Sequence, residues 1–233
     1  MALGRRRNRI DRSLRERGVP PEPQIREREV MDTSGPWDEA DAPDDGVQRI
    51  DLGALRVPAL PGMELRLEVG PEQQIAGATL VLGESNLSVA VFAAPRAGGV
   101  WDDVRDELAK TASGQGGSLK EVEGPFGPEL AGTVTAMAQG PNGAPTPVRL
   151  PARFLGVDGP RWFLRGTVIG PAGAGGEAAG AIEEAFREVI VVRGSEPMPV
   201  REPLPLTLPP GTAEQLAAEQ AAAQRPGDDV RDA

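Results

Sequence analysis

The chain has 233 residues, a formal net charge of −10, and no His, Cys or Tyr. Those absences remove the usual general base, thiol nucleophiles and soft metal ligands, leaving Asp, Glu, Arg, Ser and Thr, with only Lys110 and Lys120 as amines. So acidic a chain is a poor general binder of nucleic acid or anionic membranes, and no run approaches the ~18 apolar residues that span a bilayer.

The first 30 residues carry nine Arg against five acids. Arg5, Arg6, Arg7, Arg9, Arg12, Arg15 and Arg17, with Leu3, Ile10 and Leu14 among them, suit a short basic helix that orders only on a partner. One such partner is nucleic acid, through a weak, salt-sensitive contact confined to residues 1–30. Charges follow this basic start where a signal peptide needs an apolar core, so a cytoplasmic protein is expected. From Asp32 to Asp45 the sign reverses, with six acids and no basic residue, and the two halves of the arm attract each other. Trp37, in Gly35-Pro36-Trp37-Asp38, is the odd member of this acidic segment and a candidate docking residue on the core.

The folded block is read as 49–195. Ile50–Val57 is apolar enough for a first strand, ended by Pro58. Met63, Leu65, Leu67 and Val69 alternate with Glu64, Arg66 and Glu68, the period of a half-buried strand. Two further strands, 75–82 and 87–93, complete an antiparallel meander around Gly83–Asn86. Val100, Trp101, Val104, Leu108 and Ala112 then recur at helical spacing, with acids in the first turn where the helix dipole favours them. Ser113–Gly117 stops that helix. Strands follow at 119–123, 130–138, 148–157 and 161–169, then a helix at 177–188 and a short strand at 190–193. Residues 196–211 form a Pro-rich extended linker in which Leu204, Leu206 and Leu208 could lie along the core. Thr212 and Gln215 make a capping box for an Ala-rich helix over 213–224, within a polar tail over 212–233.

These elements predict an α+β fold: one mostly antiparallel sheet flanked by two helices, with disordered arms over 1–48 and beyond the linker. Their order, carried by Arg161–Ile169 followed by Ala181–Ile190, resembles the Mog1/PsbP-like architecture. Gly35-Pro36-Trp37-Asp38, Arg49–Gly53, Val57-Pro58 and the Arg161–Ile169 strand resemble the actinobacterial domain-of-unknown-function family 3710 over about residues 35–210. That likeness implies no activity. An Arg-dominated, Ala-, Gly- and Pro-rich composition fits a GC-rich bacterial source.

Five groups of residues invite a functional reading. Gly173–Ala178 matches GxGxxA before a helix, but a dinucleotide fold needs parallel strands after it, so an ordinary loop is favoured. Asp102, Asp103, Asp106 and Glu107 are better read as a solvated helix face than as a hard-metal cluster. No Ser lies in Gly-x-Ser-x-Gly, and no His exists to activate one. Arg153 and Arg165 lie on strands joined around Asp158-Gly159-Pro160. A three-residue loop opposes them directly and a two-residue loop sets Arg153 against Leu164, so an anion or acidic-partner contact competes with solvated Arg. Finally, Trp162 shares its strand face with Leu164, Gly166 and Val168, a face expected to lie under a helix with Trp101 as its neighbour.

The expected function is a non-catalytic interaction or scaffold module with partner-ordered arms, needing no metal or cofactor, its partner most simply another protein. The alternatives are a nucleic-acid-associated protein working through the Arg-rich arm and a carboxylate- or Arg-based hydrolase. His-free chemistry disfavours the hydrolase.

Overall fold

Ile50–Val57 is not one strand. It folds back as a hairpin of β2 (Arg49–Asp51) and β3 (Leu55–Pro58), pairing Ile50 with Val57 around Gly53, whose φ of 77° suits glycine. This reversal takes the segment out of the main sheet, and the single-sheet α+β expectation fails with it. The computed structural model describes residues 35–69, 75–139 and 144–208. It shows a mostly β protein with two sheets and two α-helices, α1 (Val100–Gly114) and α2 (Gly180–Arg187). Arg5–Arg17 and the segment 213–224 lie outside the described residues.

The larger sheet has seven antiparallel strands in the order β4-β5-β6-β10-β9-β8-β7. They are β4 (Met63–Val69), β5 (Ile75–Leu82), β6 (Ser85–Ala93), β7 (Ser118–Gly124), β8 (Gly127–Gln139), β9 (Pro145–Gly159) and β10 (Trp162–Ile169). The smaller sheet runs β1-β11-β3-β2, where β1 (Trp37–Asp38) lies parallel to β11 (Ile190–Val191). Its strands come from both ends of the described chain. Residues 37–38, 49–58 and 190–191 therefore meet only in the folded state.

Side-chain alternation sorts the large sheet into two faces. On one, Leu87, Val89, Val91 and Ala93 of β6 stand opposite Val168, Gly166, Leu164 and Trp162 of β10. The smaller sheet and α2 cover this face, bringing Leu55, Val57, Val191, Ile182, Ala185 and Phe186 into the main core. Gly166 makes room there: a Cβ would come within 2.8 Å of the Phe186 ring. On the other face Phe92 and Phe163 stack at 5.9 Å, and Trp101 of α1 stacks on Phe163 at 5.9 Å. Trp101 and Trp162 thus sit on opposite sides of the sheet, and Trp162 is met not by Trp101 but by Asp38 of β1 in the smaller sheet. Adjacent residues in a strand point opposite ways, so α1 had to choose between Trp162 and Phe163. It sits on Phe163, beside Gly156, where any Cβ would collide with the Trp101 ring at 2.2 Å.

The Pro-rich segment is part of the fold up to Leu208. The N–H of Leu204 donates to Val91 O at 2.9 Å and the N–H of Ala93 donates to Glu202 O at 2.8 Å. Leu206 bridges to Ile75 and Gly53. The segment fills the gap where β5 leaves the end of β6, and Leu204 and Leu206 are buried there.

Candidate functional site

Arg165 stands on the α1 face of β10 between two small neighbours, Ala90 of β6 and Gly156 of β9. The Trp101 ring of α1 fills the space over Gly156. Beside Arg165 lies a hollow of about 220 Å³ lined by the apolar Phe92, Phe163, Val100, Val104 and Leu108 and by the polar Glu107, Thr111, Arg165 and Arg201. The guanidinium lies over the Phe92 ring, 5.3 Å from its centre. Among the described residues it forms no ion pair. Burial pulls it below its ordinary pKa, opposed only by the charge of Glu68. Glu68 is itself engaged, accepting from the hydroxyl of Thr79. A half-buried, unpaired cation beside an apolar hollow is arranged to receive an anion carrying an apolar group.

Arg201 closes the rim. The Pro-rich segment carries it in a left-handed conformation, φ 68°, and it donates to Glu107 at 2.7 Å and Asp103 at 3.1 Å on α1. These acids, with Asp102 paired to Arg105, form the helix face read as solvated. Among the described residues no group of three or more acidic side chains is placed to hold a metal ion.

Arg153 behaves oppositely to Arg165. It is buried on the main-core face, where its guanidinium forks onto Glu129 at 2.8 and 3.0 Å and reaches Glu183 of α2 at 2.7 Å. Burial works against its charge, yet the bonds to Glu129 and Glu183 outweigh it and hold its pKa above the ordinary value. The hairpin adopts neither register considered from the sequence, and the two Arg do not oppose each other. The turn is Pro160-Arg161, so Arg153 faces Val168 and Arg165 faces Gly156. Pro at the first turn position and a left-handed Arg161, φ 64°, fix that register.

Trp37 lies in β1, its N–H donating to Val189 O at 2.9 Å, while its buried indole N–H has no partner. The neighbouring Asp38, which sequence reasoning passed over, accepts the indole N–H of Trp162 at 2.6 Å. Asp158 was also missed. Its Oδ2 accepts from the N–H of Gly99 at 3.0 Å at the start of α1, and its Oδ1 is buried without a partner. Both contacts join residues more than 50 apart in sequence, and no local pattern announces them. The Gly173–Ala178 motif is a connector: Gly173 packs on Pro151, where a Cβ would meet the carbonyl at 2.5 Å. The Arg-rich arm candidates, Arg5 to Arg17, lie outside the described residues.

Residues 35–215 match the model of a family described as Protein of unknown function (DUF3710). No curated protein and no solved structure matches the chain. Among the described residues no helix is long and apolar enough to cross a membrane.

Proposed function

The chain belongs to the DUF3710 family, and from that premise we propose that it is a non-catalytic interaction module whose recognition site is the hollow between α1 and the large sheet. The observation that carries this reading is Arg165: half-buried, without a carboxylate partner among the described residues, and set beside an apolar cavity. Its occupant is a protein segment that presents a carboxylate next to a short apolar side chain. The carboxylate bonds Arg165, and the apolar group fills the space between Phe163 and Leu108.

The folding unit in this reading runs from about residue 35 to 208, which revises the 49–195 boundary. The composition supports an actinobacterial, cytoplasmic setting, and the element order from β4 to β11 supports kinship with the Mog1/PsbP-like architecture. The test is affinity capture from the native host with the full chain and its Arg165→Glu variant. Captured partners should be lost from the variant while its thermal midpoint stays within a few degrees of wild type. Identical capture by both chains removes the site.

A further inference from the structure

Strands β8 and β9 outrun their neighbours. β7 ends against Thr133 and β10 ends against Ala152, so residues 134–139 and 145–151 continue as a two-stranded ribbon. A ribbon without a third strand is marginal in water. Its two outer edges differ. Pro145, Pro147 and Pro151 have no N–H to give the ladder, so the odd-numbered residues of β9 turn their backbone groups away from β8. The Pro151 carbonyl shows that sense by accepting the N–H of Gly170 at 3.2 Å. The β9 edge is therefore closed to strand pairing by its own prolines.

The β8 edge is open. Met137 faces Pro147 and Gln139 faces Pro145, and opposed residues in an antiparallel ladder share one hydrogen-bonding sense. The N–H and C=O of Met137 and Gln139 thus point outward. Among the described residues no strand pairs with them, and the turn at Gly116-Gly117 approaches β8 at Thr133, Val134 and Thr135, short of Met137. Met137 is 64% exposed, the highest value among the large hydrophobic residues described. The ribbon also falls in an unusual stretch of the sequence. No Asp or Glu occurs between Glu129 and Asp158, in a chain with 35 of them.

We propose that this edge pairs antiparallel with the same edge of a second copy of the chain, about a two-fold axis near Met137–Gln139. Acidic chains repel one another over most of their surface, and the acid-free ribbon is where two copies approach without that repulsion. A two-fold contact is self-complementary, so a single unblocked edge suffices. Pairing turns two marginal ribbons into one four-stranded sheet and sets Met137 and Pro147 of both copies on one face.

Sedimentation of the full chain over a range of concentrations tests the proposal. Wild type should show a reversible monomer–dimer equilibrium. Met137→Pro and Gln139→Pro each remove an outward N–H without touching the β8–β9 ladder. Either should weaken dimerisation by about tenfold or more, with unchanged circular dichroism and thermal midpoint. Because the chain lacks Cys, Met137→Cys or Ala138→Cys should give a disulfide-linked dimer under mild oxidation, whereas Val200→Cys should not. A wild type that stays monomeric at every concentration overturns the proposal. So does a dimer that ignores both proline variants or cross-links equally well through Val200→Cys.

Discussion

Asp38 and Trp162, 124 residues apart, are joined by a 2.6 Å hydrogen bond from the indole N–H to the carboxylate. Trp162 is 1% exposed, so its N–H has no water to turn to if Asp38 is lost. Asp38→Ala should therefore destabilise the protein by about 1–3 kcal/mol, the cost of an unsatisfied buried donor. Chemical denaturation measures it directly. The same bond predicts a protease-resistant fragment that begins near Gly35 rather than Arg49. Cleavage between Asp41 and Arg49 that releases the Trp37 segment under native conditions contradicts this.

The buried Arg153–Glu129 pair makes a prediction with two arms. Arg153→Met leaves Glu129, 5% exposed, without its cation, and should cost about 3–5 kcal/mol. Replacing both partners, Arg153→Met with Glu129→Leu, should recover most of that loss, because no uncompensated charge stays buried. A double variant as unstable as the single one shows that Glu183 and the packing of α2, rather than the ion pair, set the cost.

Two carboxyls predict opposite pH dependences. The Arg49 guanidinium, then the backbone N–H of Val47, lowers Asp45 from 3.8 to about 2. Its contribution is therefore present above about pH 4 and lost as pH falls toward 2. Asp158 is raised above 3.8, chiefly by burial, so the folded state holds its proton more tightly than the unfolded chain. That contribution is present below pH 3.8 and lost as pH rises through the raised value. In melting curves taken from pH 2 to 7, Asp45→Asn should flatten the acid limb and Asp158→Asn should steepen it.

Much of the fold is legible in the sequence because local patterns carry it. Alternation marks Met63–Val69, and three-to-four spacing marks α1 from Val100 to Ala112. What escaped was decided at long range. Whether Ile50–Val57 is one strand or two depends on β11 and β1 arriving from the two ends of the described chain. Which face of β10 receives Trp101 depends on Gly156, a residue with no side chain to read. The hairpin register turned on Arg161 adopting a left-handed conformation, uncommon for any residue but glycine. Arg165 was visible as a candidate, but its missing partner was not, because an ion pair is a property of the fold.

Gly156→Ala tests the seat of α1. Its Cβ would collide with the Trp101 ring at 2.2 Å, so the helix must shift outward or the indole must leave its rotamer. Overpacking of this kind costs about 1–3 kcal/mol. The shift also reshapes the hollow beside Arg165, so partner capture should weaken with stability. Loss of stability with full capture separates the hollow from the site of recognition.

Arg165 should be worth more to binding than to folding. A half-buried guanidinium gives up hydration, and among the described residues it receives the ring of Phe92 and the charge of Glu68, without an ion pair, in return. Arg165→Met keeps the volume and the apolar contact with Phe92 while removing the charge. It should therefore stabilise the protein by about 0.5–2 kcal/mol, as replacing a functional polar group in an apolar setting commonly does. Hexanoate is a minimal probe of the site, with a carboxylate for Arg165 and a chain for the hollow. In an NMR titration it should shift the amides of Arg165, Phe163 and Leu108 in wild type and leave them unmoved in Arg165→Met, while hexylamine moves them in neither. A variant that loses stability would mean that Arg165 is held by contacts within the fold, and the case for an external anion would fall with it.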